Sequence, residues 1–444
     1  MKPSTLTLWF IALWLPAMVW ASPHEFTLDN GLKVIVQENH RAPIVSSQLW
    51  YKVGASYEYP GQTGVSHALE HMLFKGSSKL CAGESSTLLA SLGAIENAST
   101  TADATLYFQD IATHYLDVAL EIMADQMATA HWSEAQWATE HGIIKNERSE
   151  VIDNDPESRQ KERLLAQAFP SSSYANPVIG WQHDLDRLHS RQLQAWYRAW
   201  YAPNNAVLVI VGDVTVAQVK ARVEHFFGAI SQRELPVANT PLELETPGER
   251  SITLPPSALP PGLSMAFNVP ALNTQTEPGT ALALQLLSEW LAGSESALLQ
   301  TRLKRDEPLL SQASSAYNPV SRGDTLLILN VTLNTQKNTP LEEVKARIWA
   351  LLETVKTTPP SAHDLDRARN RLIAQQVFRR DSMPFQALYL AELEVAGLSW
   401  KQDPERLHRL KALTPEDIQR TAQQFLTRDR LTTRYTPNPE LPNE

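Results

Sequence analysis

A strand followed by a glycine-ended apolar helix occurs twice in this chain, and that repetition restricts the fold to two similar halves. In the first half Ile44 to Val53 reads as a strand and leads into Gly64-Val-Ser-His-Ala-Leu-Glu-His-Met-Leu-Phe-Lys-Gly76. In the second, Leu263-Ser-Met-Ala-Phe-Asn-Val-Pro270 leads into Thr280-Ala-Leu-Ala-Leu-Gln-Leu-Leu-Ser-Glu-Trp-Leu-Ala-Gly293. Between them, residues 232–249 are polar and carry prolines at 236, 241 and 247, the composition of an extended linker. The expected organisation is therefore a first domain over 22–231, a linker over 232–250 and a second domain over 251–444. Within the first half, Phe26-Thr-Leu28 and Leu32-Lys-Val-Ile-Val36 flank the turn Asp29-Asn-Gly31 as a hairpin. The continuous apolar run within Tyr201–Asp213 reads as a buried strand.

The chemistry concentrates in His67-Ala-Leu-Glu-His71. Histidines four apart lie one turn apart on one helical face, and Glu70 leans to the same side. Two neutral imidazoles suit Zn²⁺ at about 2.0–2.1 Å, with room for a third protein ligand and for a water that a carboxylate deprotonates. Val65, Leu69, Met72 and Leu73 form the opposite apolar stripe, so the helix is expected to be anchored in a core with its polar side on a cavity. The order His-x-x-Glu-His inverts the zinc-protease motif His-Glu-x-x-His.

A third ligand is expected from Glu140-His-Gly-Ile-Ile-Lys-Asn-Glu147-Arg-Ser-Glu150. The box Ser133-Glu-Ala-Gln136 predicts the start of this helix and Asp153-Asn-Asp-Pro156 its end. Glu140 and Glu147 share a face two turns apart, so one can bind metal while the other orients a ligand, and periodicity does not choose between them. By chemistry alone Glu150 and His141 are also possible ligands.

With these residues the chain resembles the pitrilysin/insulinase family of inverted-motif zinc metallopeptidases, which includes the processing peptidases of mitochondria. The resemblance implies an α+β fold of two homologous domains, each a mostly antiparallel sheet flanked by helices, arranged as one half of a clamshell. It implies one Zn²⁺ per chain held by His67, His71 and Glu147, the last standing 76 residues after His71 at the family's distance. Glu140 then takes the supporting position and Glu70 the role of general base. The stretch from Gly93 to Phe108 is similar to the family's peptide-pairing strand, with Asn97 and Ala98 binding substrate backbone. Its small, polar and β-branched residues also suit an exposed sheet edge. In the second half, matching Gly293 to Gly76 sets Leu284, Leu287 and Ser288 against the motif, so this copy holds no metal.

One family feature is not evident. Active members take an arginine and a tyrosine seven residues apart from the non-catalytic half, and the expected region from Ser296 to Tyr317 has no such pair at Arg302 or Arg305. Arg428 and Tyr435 have the spacing but lie in the terminal segment. The resemblance thus implies the motif-bearing subunit of a pair, with a homologous partner subunit or a second copy supplying the arginine and tyrosine to a peptide substrate. The alternative is a catalytically silent peptide-binding or scaffolding subunit.

Met1-Lys2 before an apolar run from Leu6 to Trp20, with Val19-Trp20-Ala21 as cleavage site, predicts a signal peptide over 1–21 and a periplasmic or secreted protein. No later stretch reaches spanning length. The single cysteine, Cys81, allows no intrachain disulfide. A formal charge of −10, without a Lys/Arg block interleaved with aromatics, argues against a nucleic-acid partner.

Overall fold

Two mixed sheets organise the chain in the computed structural model, which describes residues 22–437 other than positions 258, 338 and 380; the expected signal segment lies outside them. The first sheet contains β1 (His24–Thr27), β2 (Lys33–Glu38), β3 (Ile44–Tyr51), β4 (Ile95–Thr100), β5 (Thr105–Ala112) and β6 (Ala206–Gly212), in the order β1-β2-β6-β3-β5-β4. The second contains β7 (Arg250–Thr253), β8 (Gly262–Val269), β9 (Leu310–Ala316), β10 (Thr325–Leu333) and β11 (Leu431–Thr436), in the order β7-β11-β8-β10-β9. Without β1 the two orders correspond strand for strand. The parallel pair, β2 with β6 or β7 with β11, sits at the same end of each sheet and every other pairing is antiparallel.

The repeat extends to the helix after the third strand of each order. Gly64 (φ 87°) precedes the motif helix Val65–Met72, and Gly279 (φ 102°) precedes Thr280–Ala292. Both glycines occupy the left-handed region that other residues enter at a cost. Counted from this shared glycine, Leu282, Gln285 and Leu286 stand where the first half has His67, Glu70 and His71. Counted from the helix ends the positions are Leu284, Leu287 and Ser288; neither register offers a metal-binding set.

Strand alternation gives each sheet two faces. Val34, Val36, Leu49, Tyr51, Leu208 and Ile210 pack under the first half's own helices, including the motif helix. On the reverse face Ile35, Trp50, Val207, Val209 and Val211 meet Ala387, Leu390, Ala391 and Val395 of the helix Met383–Val395, which belongs to the second half. The exchange is mutual: the helix Pro156–Ala168 of the first half lays Leu164 and Ala168 against Ala266 and Leu326 of the second sheet. Both contacts carry polar anchors. At the first, Lys33 Nζ lies 2.8 Å from Glu394 Oε2 and Gln48 Nε2 donates to the Pro384 carbonyl at 3.0 Å; at the second, Asn268 Nδ2 donates to the Ala168 carbonyl at 2.8 Å and Arg434 is bonded to both Gln160 and Ser264.

The segment between the helix Val216–Phe227 and β7 has no regular structure and straps the halves together. Glu243 accepts the Ser171 hydroxyl at 2.6 Å, and its backbone N–H donates to Asp324 Oδ2 at 3.1 Å. Among the described residues no helix is long and apolar enough to cross a membrane.

Candidate metal centre and active site

The motif helix is anchored by its apolar face and by its N-terminus. Val65, Ala68, Leu69 and Met72 are fully buried in the first core. At its N-terminus, where helical N–H groups lack partners, the buried Glu58 carboxylate accepts Gly64 N–H at 2.7 Å and Ser66 N–H at 2.8 Å. Burial nevertheless pushes the Glu58 carboxyl up to about 7, against the pull of those two amides.

The helix Glu134–Arg148 supplies the facing carboxylates. Its start has the expected capping box, Ser133 and Gln136 bonding reciprocally. Its α-helical turns end at Arg148 and a π-helical segment, Ser149–Asp153, follows; Asp155 and Pro156 then begin the next helix. The wider turn and the proline together explain why the expected stop falls between two helices.

Three side chains converge here. His67 Nε2 lies 3.7 Å from Glu147 Oε1, and His71 Nε2 lies 3.4 Å from Glu147 Oε2. One donor atom from each of His67, His71 and Glu147 falls within a mutual 4.8 Å, and no other such group of three occurs among the described residues. Glu140 is separated from them by geometry: its Oε1 sits 3.0 Å from His71 Nδ1, on the far side of the ring, and its Oε2 lies 2.7 Å from Lys75 Nζ. His141 turns elsewhere, its Nε2 2.7 Å from the Leu185 carbonyl and its ring stacked on Trp137. Glu150 is exposed in the π-helical segment.

The donor set fits a divalent metal. Burial and the neighbouring His71 hold His67 down to about 3, so its imidazole stays neutral as a ligand must be. Glu147 Oε2 is buried without a hydrogen-bond partner, although it faces an imidazole nitrogen. A buried carboxylate oxygen with no hydrogen-bond partner, facing a ring nitrogen at 3.4 Å, is a costly arrangement that a cation resolves.

Glu70 completes the face. Thr100 donates its hydroxyl to Glu70 Oε2, and burial raises the Glu70 carboxyl above its ordinary range against the opposing effect of that bond and of His71. Thr100 ends β4, which forms an edge of the first sheet. Along β4 exposure alternates, with Ile95, Asn97 and Ser99 open and Glu96, Ala98 and Thr100 partly covered. The Ala98 N–H is occupied by its neighbour, Asn97 Oδ1, at 2.8 Å, a local bond that an incoming carbonyl can replace.

Residues 33–181 match the model of the insulinase family (peptidase family M16), and residues 187–372 match that of the peptidase M16 inactive domain. The chain belongs to the M16, or insulinase, peptidase family. This M16 chain is 27% identical over 392 residues to the zinc protease PqqE of Helicobacter pylori, covering 86% of the chain and 87% of that protein. It is 22% identical over 419 residues to the uncharacterized zinc protease YmxG of Bacillus subtilis, covering 94% and 99%. A protease structure from Helicobacter pylori aligns with TM-score 0.86 at 25% identity, over 94% of this chain and all of that one. The periplasmic protease PqqL of Escherichia coli shares the fold (TM-score 0.79, 17% identity) over 94% of this chain and 48% of its own.

Within this M16 chain, sequence reasoning assigned no role to Thr100, Lys75 or Glu58. The period-two alternation of β4 carried a signal for Thr100, since it shares a face with Ala98; Glu58 had none, because its partners are backbone amides. The arginines and the tyrosine weighed for the carbonyl-binding pair lie elsewhere in the fold. Arg428 lies over Trp349 and pairs with Glu249 at 3.0 Å, Tyr435 is in β11, and Arg302 pairs with Asp306 at 3.2 Å.

Proposed function

We propose that this chain is an exported zinc metalloendopeptidase that hydrolyses peptides or unfolded polypeptides, the motif-bearing subunit of a pair in which a homologous partner supplies an arginine and a tyrosine. The observation that carries the reading is the convergence of His67, His71 and the orphaned Glu147 oxygen beside Glu70 and an open strand edge.

His67 Nε2, His71 Nε2 and Glu147 would hold the ion. A zinc ion there supplies the Lewis acidity that makes water a competent nucleophile near neutral pH. Glu140 fixes the His71 ring through Nδ1 and so points Nε2 at the site. The substrate chain adds to β4 as a further strand, held by main-chain bonds at Asn97 and Ala98 that place a peptide carbonyl near the motif helix. Glu70 takes the proton of the attacking water at Oε1, the oxygen not engaged by Thr100, and delivers it to the leaving amine nitrogen. Export is supported by the apolar segment before Ala21 and by the periplasmic naming of a protease with this fold.

A quenched fluorescent peptide library, incubated with the mature chain alone and with co-expressed homologues, with and without chelator, tests this reading. Chelator-sensitive cleavage that rises with a partner is the expected result. Bound zinc without cleavage in any mixture would assign the chain to the silent, peptide-binding class instead.

A further inference from the structure

Asp103, Tyr174 and Arg322 come from three distant places in the chain and meet in one polar knot between the halves. Asp103 lies in the turn from β4 to β5. Its Oδ1 accepts the Ser56 hydroxyl at 2.9 Å, and its Oδ2 accepts the Tyr174 hydroxyl at 2.6 Å and the Arg322 backbone N–H at 3.1 Å. The Arg322 guanidinium, from the β9–β10 connection, stands 3.6 Å from Asp103 and donates to Ser56 Oγ at 3.0 Å and to the Asn239 carbonyl at 2.9 Å. It also lies over the Tyr57 ring, 3.8 Å from the centroid. With Arg322 and Asp103 only 13% and 14% exposed, solvent screens these contacts weakly. The surrounding backbone has no slack. Ser56 N–H donates to the Ala102 carbonyl at 2.7 Å, and a Cβ on Gly54 would stand 2.3 Å from the Thr101 carbonyl oxygen. On the other side, a Cβ on Gly323 would stand 2.1 Å from the Pro241 carbonyl oxygen.

The turn held in this way is the one that Thr100 enters, three residues before Asp103, and Thr100 donates to Glu70. We propose that Arg322 of the second half is a positioning residue for hydrolysis in the first: it clamps the β4–β5 turn and so keeps Thr100 on Glu70. The inference rests on Glu70 acting as general base. It gives the half that lacks metal ligands a share in the chemistry, because the orientation of the base is set across the interface. Misplacing a reacting group by about an ångström costs up to about 10²-fold in rate, so a loosened turn is enough to register in kcat.

Arg322→Gln and Arg322→Lys, each in the wild-type and Thr100→Val backgrounds, test the inference with two readouts. Amide exchange at Ala55, Ser56, Thr101 and Ala104 should rise about tenfold in Arg322→Gln while β6 is unchanged. On a fluorogenic peptide, kcat should fall about tenfold with KM and zinc content held, Arg322→Lys should recover part of it, and the fall should shrink below about twofold once Thr100 is valine. Unchanged exchange, or the same loss of kcat in both backgrounds, overturns the proposal. Asp103→Asn probes the clamp from its other side, should reproduce the exchange result, and replaces Arg322→Gln if that variant does not fold. If wild type cleaves no peptide, alone or with co-expressed homologues, the peptidase reading fails, and the exchange result still decides whether Arg322 holds the turn.

Discussion

Glu70 and glutamine have nearly the same shape, and glutamine can still accept the Thr100 hydroxyl through its amide oxygen, but it cannot take up a proton. Glu70→Gln is therefore expected to keep one zinc per chain after dialysis, measured by elemental analysis, and to lose about 10²–10⁴ in kcat. Turnover within about tenfold of wild type, with contaminating protease excluded, would remove Glu70 from the role of base. At this scale much of the candidate site was legible, because His67, Glu70 and His71 lie within five residues of one another and helical geometry alone brings them together. Periodicity left Glu140 and Glu147 as a pair on one helical face, and it was the family resemblance that separated them; packing against the motif helix puts Glu147 on the ring nitrogens that face inward and Glu140 on His71 Nδ1. Thr100 is the opposite case, a residue whose role comes from the way an edge strand crosses the helix.

Elements set how well those residues are held. The motif helix is short, and its N-terminal amides depend on one buried carboxylate, Glu58. Its folded pKa of about 7 lies above the ordinary 4.5, so between these values the folded state holds a proton that the unfolded state has released. The stability contributed by Glu58 is therefore fully present below about pH 4.5 and lost as pH rises to about 7, by on the order of 3 kcal/mol. Relative to Glu58→Gln, which does not titrate there, wild type should lose ground across that window and level off above it. Urea midpoints measured with chelator present check this, and a gap that stays constant or widens in favour of wild type with rising pH contradicts it. The edge strand admits a similar test. The Ala98 N–H bonds to its own neighbour instead of to β5, so Ala98→Pro removes only the outward donor at a place where an edge strand tolerates proline. KM for peptides is expected to rise about tenfold, the loss of roughly one main-chain hydrogen bond, with zinc content and melting temperature nearly unchanged. An unaltered KM would mean that substrate does not pair there.

For the whole molecule, the decisive contacts are those between residues far apart in sequence, and these were not legible. The repeat predicted two similar halves, and strand order with its parallel pair is indeed repeated; nothing local told that each half lends a helix to the other's sheet. A trace exists in Met383–Val395, apolar around most of its circumference, which is the pattern of a helix buried on more than one side, but such a pattern names no partner. The exchange has a thermodynamic consequence. Val207, Val209 and Val211 of β6 have their reverse face covered by this borrowed helix, while Leu208 and Ile210 of the same strand lie under the first half's own helices. Losing the second half would uncover the central strand of the first, so the halves should unfold in one calorimetric transition. Ala391 is the sharpest probe, since it is fully buried and its small side chain lets the helix approach the valines closely. Ala391→Asp places an unpaired charge there and should cost on the order of 3 kcal/mol. Because the contact is shared, exchange protection should fall together in β6 and in the second sheet's β8, and zinc should be released at a lower temperature. Two separate transitions, with β8 untouched by the substitution, would show instead that the halves are independent folding units and that the borrowed helix is merely docked.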